Sequence, residues 1–320
     1  MKILVTGCAG FIGYHLCAEL LKNKDYDVVG IDNINNYYSK NLKYLRLNQI
    51  KKFKNFDFYK IDISNYYSLE KIFKNKKIDI IINLAAQAGV RYSLKHPREY
   101  ISSNILGFYN ILELSRVYNI KKIFYASSSS VYGEQKKFPL VESQKLNPKN
   151  IYSLTKKNNE DLAELYKNYY GLKLVGLRFF TVYGEWGRPD MLMMKYMLAK
   201  IKKKTFTLNN KGNHYRDFTY IKDVIEILKK MIFKKYDNDH EIFNICSNNP
   251  QSVKKILGKL DKIYGKPKIK HQKRLSIEVI KTHGSNKKVT KFLDFKKFTD
   301  IDDGILRLVL WSKKYLNRIH

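Results

Sequence analysis

Six runs of nearly continuous apolar, β-branched character punctuate the first 180 residues: KILVT, DVVGID, FDFYKID, DIIINLAA, KIFYASSS and LKLVGLRFF. Runs of this length without polar alternation suit strands of a parallel sheet covered on both faces. Between them the spacing turns helical, at Phe11 to Leu21, around Leu42 to Ile50, and at Ser68 to Phe73, Tyr100 to Tyr118 and Ser153 to Tyr170. Strand and helix in alternation predict an α/β fold built on a doubly wound parallel sheet. From Thr181 onward the rhythm breaks into shorter pieces with polar loops such as NNKGNHYRD and SNNPQS. The expected division is a first domain over residues 1–180 and a smaller carboxy-terminal lobe over 181–320, with some chain returning to the first domain near 220–246.

Composition narrows the setting. With 320 residues, 44% hydrophobic and 14% aromatic, the chain has the material for a large core. The longest apolar runs are strand-sized, too short to cross a bilayer, so no membrane partner is expected. The amino terminus MKILVTG enters a strand and then glycines, with no secretory apolar region. Cys8, Cys17 and Cys246 have neither metal-ligand nor disulfide-framework spacing, so no metal is expected and the reading is a cytoplasmic protein. The formal charge of +32 raises nucleic-acid binding as an alternative. Its lysines, however, are spread in doublets and triplets along the whole chain, and arginine, the preferred base reader, is scarce. No nucleic-acid partner is expected, only a long-range pull on anionic substrates.

The first strand runs directly into TGCAGFIG, which places glycines at 7, 10 and 13 where a helix begins. Small residues there let backbone N–H groups approach a pyrophosphate, the helix amino terminus favours anions, and Gly13 allows close packing on the sheet. Asp32 follows nineteen residues after Gly13, at the end of the second strand, where a carboxylate accepts ribose hydroxyls and repels a 2′-phosphate. This predicts a Rossmann-type domain for NAD. Phe11, Ile12, Asn33, Ile63 and Ala85 stand beside these residues in the expected cofactor set, and Asp62, ending the third strand, is expected at the adenine side.

A second feature is NIYSLTKK, with Tyr152 four residues before Lys156. Tyr-x-x-x-Lys alone means little here, since it occurs seven times, beginning at Tyr67, Tyr118, Tyr132, Tyr152, Tyr169, Tyr196 and Tyr264. What marks Tyr152 is its place at the start of a helical pattern, after the breaker NPKN and a strand ending in hydroxyls, Ser127 to Ser130, downstream of a glycine cofactor turn. The carboxyl ends of parallel strands are where ligands sit, and i,i+4 spacing puts Lys156 beside Tyr152 on one helix face. A tyrosine near pKa 10 is a poor base at neutral pH, and a neighbouring ammonium favours its phenolate. The expected catalytic group is Tyr152 as base, Ser128 sharing the proton, and Lys156 holding the nicotinamide ribose.

Taken together, TGCAGFIG, GIDNINNYYS, NLAAQAGVRYSL, YASSSSVYG, YSLTKK, LRFFTVYGEWGRPDM and RDFTYIKDV resemble an extended short-chain dehydrogenase/reductase. Within that group they are most similar to nucleotide-sugar 4-epimerases of the UDP-glucuronate branch. The resemblance covers nearly the whole chain. It implies catalytic roles for Tyr152, Lys156 and Ser128, NAD on the glycine turn and Asp32, and a diphosphate contact from Arg216. It also implies that hydride leaves sugar carbon 4, the flat 4-keto sugar turns over, and hydride returns to the other face. UDP-glucuronate would thereby become UDP-galacturonate. Long helices at Tyr100 to Tyr118 and Ser153 to Tyr170 imply a homodimer, because relatives pair such helices across a two-fold axis.

Thr181 stands where the galactose-type branch usually carries asparagine. A short hydroxyl there, with Ser127 and Ser129, is expected to donate to the sugar carboxylate, with Arg91 adding charge and Arg188 serving the diphosphate or the carboxylate. Neutral donors would hold that carboxylate near the plane of the 4-keto carbonyl, where its bond to the ring overlaps poorly and carbon dioxide is retained. The alternatives are a UDP-hexose 4-epimerase, a UDP-glucuronate decarboxylase and a non-catalytic NAD-binding protein. The stretch KRLSIEVIKTHGSN departs from the family's proline-glycine-aspartate run, offering Glu278 in place of a shorter acid.

Overall fold

The computed structural model describes residues 1–319. Strands β1 (Lys2–Thr6), β2 (Asp27–Ile31), β3 (Phe56–Tyr59), β4 (Ile80–Asn83), β5 (Lys122–Ser128) and β6 (Lys173–Phe179) carry the apolar runs. They are followed by β7 (Thr181–Tyr183), β8 (Phe206–Asn209), β9 (Tyr215–Tyr220), β10 (His240–Ile245), β11 (Pro250–Ser252) and β12 (Ile269–Gln272). Helices α1 (Phe11–Leu20), α2 (Lys40–Ile50), α3 (Tyr66–Asn75), the single turns α4 (Tyr92–Lys95) and α5 (Pro97–Tyr100), α6 (Gly107–Val117) and α7 (Ile151–Tyr170) fill the early connections. Further along are α8 (Leu192–Ile201), α9 (Ile221–Phe233), α10 (Val253–Tyr264), α11 (Lys287–Leu293) and α12 (Ile301–Ile319).

The main sheet has seven strands in the order β10-β6-β5-β4-β1-β2-β3, every pair parallel. Alternating side chains of one strand serve two cores. In β1, Leu4 joins a cluster with Leu69 of α3, Ile111 of α6 and Ala163 of α7. Ile3 and Val5 face the other way, into a larger cluster with Leu16 of α1, Leu47 of α2 and Val224 of α9. That larger core continues into the later part of the chain through Met197, Leu257 and Leu308. Residues 221–245 return to the sheet: α9 packs on α1 and β10 pairs with β6. Two small sheets, β11-β9-β7 and β12-β8, organise the remainder.

Two differences from the sequence expectation bear on the site. β3 stops at Tyr59, so Asp62 lies in the following turn rather than closing the strand. The expected single helix from Tyr100 to Tyr118 is instead α5, a π-helical stretch Ile101–Leu106, and α6. Such a local widening redirects side chains and recurs at functional sites. Helix α7 has a well-defined start. Asn150 accepts from the Ser153 N–H at 2.9 Å while Ser153 Oγ accepts from the Asn150 N–H at 3.1 Å, a reciprocal cap that sets Tyr152 in the first turn. Gly171, left-handed at φ 61°, ends the helix.

Candidate active site

One cleft runs across the carboxyl ends of β1, β2, β4, β5 and β6, lined from Gly7 and Asp32 at one end to Ser128, Tyr152, Lys156 and Arg188 at the other. Its empty space, open mouth included, is about 1300 Å³. At the glycine end, Gly7 has φ 71°, and a Cβ there would stand 2.8 Å from the Ala85 nitrogen. Gly13 is tighter still: a Cβ would meet the Gly7 carbonyl oxygen at 2.1 Å. The turn therefore tolerates no side chain at either position, and its bare backbone faces the cleft as a pyrophosphate requires.

Gly13→Ala is expected to push the turn out of shape, costing about 1–3 kcal/mol of stability and about tenfold or more in dinucleotide affinity. Thermal unfolding and equilibrium dialysis against NAD check it. Unchanged affinity would mean that the turn does not hold the dinucleotide.

Asp32 is buried and anchors the turn, one carboxylate oxygen accepting from the Ala9 N–H at 3.1 Å and the other from the Ile34 N–H at 2.8 Å. Both oxygens keep lone pairs for ribose hydroxyls. Burial raises its pKa, opposed by the Lys43 charge and these N–H donors. Lys43 donates to the Asn35 carbonyl at 2.8 Å and to its side-chain oxygen at 2.7 Å, and burial lowers its pKa to about 8. Asp62 accepts from Asn33 at 2.8 Å and from the Ser64 N–H at 2.9 Å. Burial raises its pKa, but these bonds outweigh burial and hold it below the ordinary carboxylate value. Phe11, Ile12, Ile63 and Ala85 line the same wall.

At the other end Ser128 closes β5, and its oxygen accepts from Ser130 Oγ at 2.9 Å. Lys156 is buried on α7 and donates to the Ala126 carbonyl at 2.7 Å. Burial lowers its pKa to about 8, with the Glu160 charge opposing. The Tyr152 hydroxyl is itself desolvated, which raises its pKa, while the Ser128 hydrogen bond and the Arg188 charge pull the other way. The sequence reading expected Lys156 to do that pulling. In the structure the opposing groups are Ser128 and Arg188, because the Lys156 ammonium is turned to the strand carbonyl.

The expected sugar-binding residues scatter more than the catalytic ones. Arg188 lines the cleft, chelates Asp190 at 3.0 and 2.6 Å, and sits over the Tyr37 ring, whose hydroxyl also donates to Asp190. Ser127 lines the cleft too, but its hydroxyl donates to Glu160 at 2.5 Å, inside a buried Arg178–Glu160 ion pair. Its hydroxyl thus belongs to a buried polar network while its side chain stands on the cleft wall. Ser129 opens the short turn Ser129–Tyr132, and Thr181 borders a small apolar cavity shared with Phe11 and Met191. Arg91 pairs with Glu278 at 2.6 Å, tying the β4 loop to the divergent stretch 274–286. Arg216 donates to the Ile280 and Val279 carbonyls of that stretch, and burial lowers its pKa to about 10 against the attraction of Glu278 and Glu134.

Several participants were not singled out in the sequence. Asn35, Tyr37, Tyr38 and Gln87 line the cleft, and Asn104 of the π-helical stretch clamps Gln87 through its N–H at 2.8 Å and carbonyl at 3.1 Å. Asn104 also donates to Thr155 at 2.9 Å, so the β4 loop is fastened to α7. Arg46, fully buried on α2, was missed although a signal exists: it falls on the stripe Leu42, Arg46, Ile50, where an apolar side chain is expected.

Residues 3–246 match the Epimerase family, described as the NAD dependent epimerase/dehydratase family. The chain is 41% identical over 99% of its length to Protein CapI of Staphylococcus aureus, all of which is covered. It is 39% identical to the UDP-glucuronate 4-epimerase of Thermodesulfobacterium geofontis, over 99% of this chain and 97% of that one. Among solved structures, UDP-glucuronic acid 4-epimerase from Bacillus cereus, in complex with UDP-glucuronic acid and NAD, superposes with a TM-score of 0.92 at 34% identity, covering 98% and 99% of the two chains. With the parallel sheet, the glycine turn and full-length relatives in agreement, this chain belongs to the NAD dependent epimerase/dehydratase family.

Proposed function

We propose that this protein interconverts UDP-glucuronate and UDP-galacturonate by epimerisation at sugar carbon 4, with NAD as its cofactor. The observation that carries the reading is the convergence of Ser128, Tyr152 and Arg188 at one end of a cleft whose other end is the glycine turn and Asp32. Relatives named for this activity, matching 98–99% of this chain, support it. The cleft fits NAD because Gly7 and Gly13 leave bare backbone where a pyrophosphate rests and Asp32 keeps acceptor capacity for a ribose. Bound there, NAD supplies the hydride acceptor and donor for sugar carbon 4. Gly7, Gly10, Gly13, Asp32 and Lys156 would hold it. Tyr152 takes the proton of the C4 hydroxyl, Ser128 shares it, and Arg188 provides the cation for an anionic group of the sugar nucleotide.

Incubation of the purified protein with UDP-glucuronate is expected to give UDP-galacturonate. A UDP-pentose with released carbon dioxide would reject the reading in favour of a decarboxylase, and turnover of UDP-glucose alone would favour the neutral-hexose epimerase. The three buried free thiols accord with a reducing cytoplasmic setting. Among the described residues no helix is long and apolar enough to cross a membrane.

The protein is further proposed to work as a homodimer through α6, α7 and the π-helical stretch before them. Ile101, Leu106, Tyr109 and Val117, with Leu154 and Leu165 on α7, are all more than two-fifths exposed, an apolar surface unusual for a lone chain. Leu106→Glu combined with Leu165→Glu is expected to halve the mass seen by sedimentation equilibrium. A parent protein already monomeric at micromolar concentration would remove this proposal.

A further inference from the structure

The Arg46 guanidinium lies where three segments meet. It is 0% exposed, and one terminal nitrogen donates to the Ala9 carbonyl at 3.0 Å and to the Tyr38 hydroxyl at 2.8 Å. Its other terminal nitrogen donates to the carbonyls of Trp186 and Gly187. Ala9 belongs to the glycine turn, between Gly7 and Gly10. Trp186 and Gly187 immediately precede Arg188, the cation that lines the opposite end of the cleft. Among the described residues no carboxylate lies within ion-pair distance of Arg46.

A buried cation matched only by neutral acceptors is expensive to maintain, and an apolar side chain would fill the same space more favourably. Packing therefore does not explain an arginine here. What the guanidinium provides is a rigid fork reaching two carbonyl-bearing loops at once, which the single point of a lysine ammonium does not reproduce. The loop it reaches is also strained. Trp186 sits at φ 58°, a left-handed conformation uncommon for a bulky residue, and needs a tie to persist. The Arg46 charge also bears on Asp32, helping to keep that carboxylate ionised.

We propose that Arg46 is a positioning residue that couples the two halves of the cleft: ordering of the glycine turn by a dinucleotide is passed through Arg46 to the Trp186–Gly187 turn, and so presets Arg188 for the anionic sugar nucleotide. This rests on the cofactor and substrate reading above. Coupling of this kind is reciprocal, so each ligand should tighten the other by the same factor.

The test measures UDP-glucuronate binding by calorimetry with and without NAD, in a Tyr152→Phe background so that no turnover interferes. The Arg46-containing protein is expected to bind the sugar nucleotide about tenfold more tightly when NAD is present. Adding Arg46→Met should reduce that ratio to within about twofold, and Arg46→Lys should recover only part of it. Arg46→Lys keeps charge and stem, and stands as the deciding variant where Arg46→Met does not fold. A ratio preserved in the variants, even with a lowered melting temperature, overturns the proposal and leaves Arg46 a structural tie. Failure of NAD and UDP-glucuronate to bind at all would instead strike the functional reading.

Discussion

Tyr152→Phe is expected to slow interconversion of UDP-glucuronate and UDP-galacturonate by about 10²–10⁴-fold, the range typical for loss of a positioned acid-base group. Binding of the sugar nucleotide should change little, because the ring and its edge-on contact with Tyr100, at 6.1 Å between centroids, both remain. A loss in turnover without a loss in affinity separates chemistry from packing. The residue it removes is one whose proton affinity is set by opposing influences. Desolvation raises the phenol, while Ser128 and Arg188 favour its ionised form. Ser128→Ala, which removes one of the latter, should therefore move the acid limb of the rate profile to higher pH. Chromatographic separation of the two uronate isomers over time gives the rate. Parent-like turnover in Tyr152→Phe would end the assignment of Tyr152 as the base.

Lys156→Met is expected to do two opposite things: cut turnover by about 10²-fold or more and raise thermal stability at neutral pH. Burial holds the folded-state amine at about 8, below its ordinary 10.5. The unfolded chain thus binds this proton more tightly, so the penalty is complete below pH 8 and fades as pH rises towards 10.5. Methionine keeps the stem and removes the buried charge, losing the bond to the Ala126 carbonyl and the attraction of Glu160. Its gain in melting temperature should be larger at pH 7 than at pH 9.5, as scanning calorimetry would show. An equal gain at both values, or a loss at both, would contradict this account of the lysine.

The parts legible in the sequence were those whose physics is local. Continuous β-branched runs mark buried parallel strands, and the glycines of TGCAGFIG mark a turn where a Cβ has no room. Tyr152 was distinguished from six identical spacings only through its neighbours. Contacts that depend on distant segments were not legible. Ser127 read as a substrate donor, and the structure also joins its hydroxyl to Glu160, which Arg178 of the neighbouring strand β6 holds as an ion pair. Arg91 and Arg216 read as anion binders, and the structure joins both to residues 278–280, far along the chain. The π-helical widening at Ile101–Leu106 leaves no signature in apolar spacing, so it passed as ordinary helix.

The place of β10 at the end of the main sheet has a consequence in time. It hydrogen-bonds to β6, yet it is synthesised only after β7, β8, β9 and α9. At ordinary ribosomal speeds of about 5–20 residues per second, the flank of β6 stays bare for several seconds of translation. An unpaired apolar strand edge is a template for wrong partners. The nascent chain thus cannot finish its first half before starting its second, and its most hazardous moment falls before residue 245 leaves the exit tunnel.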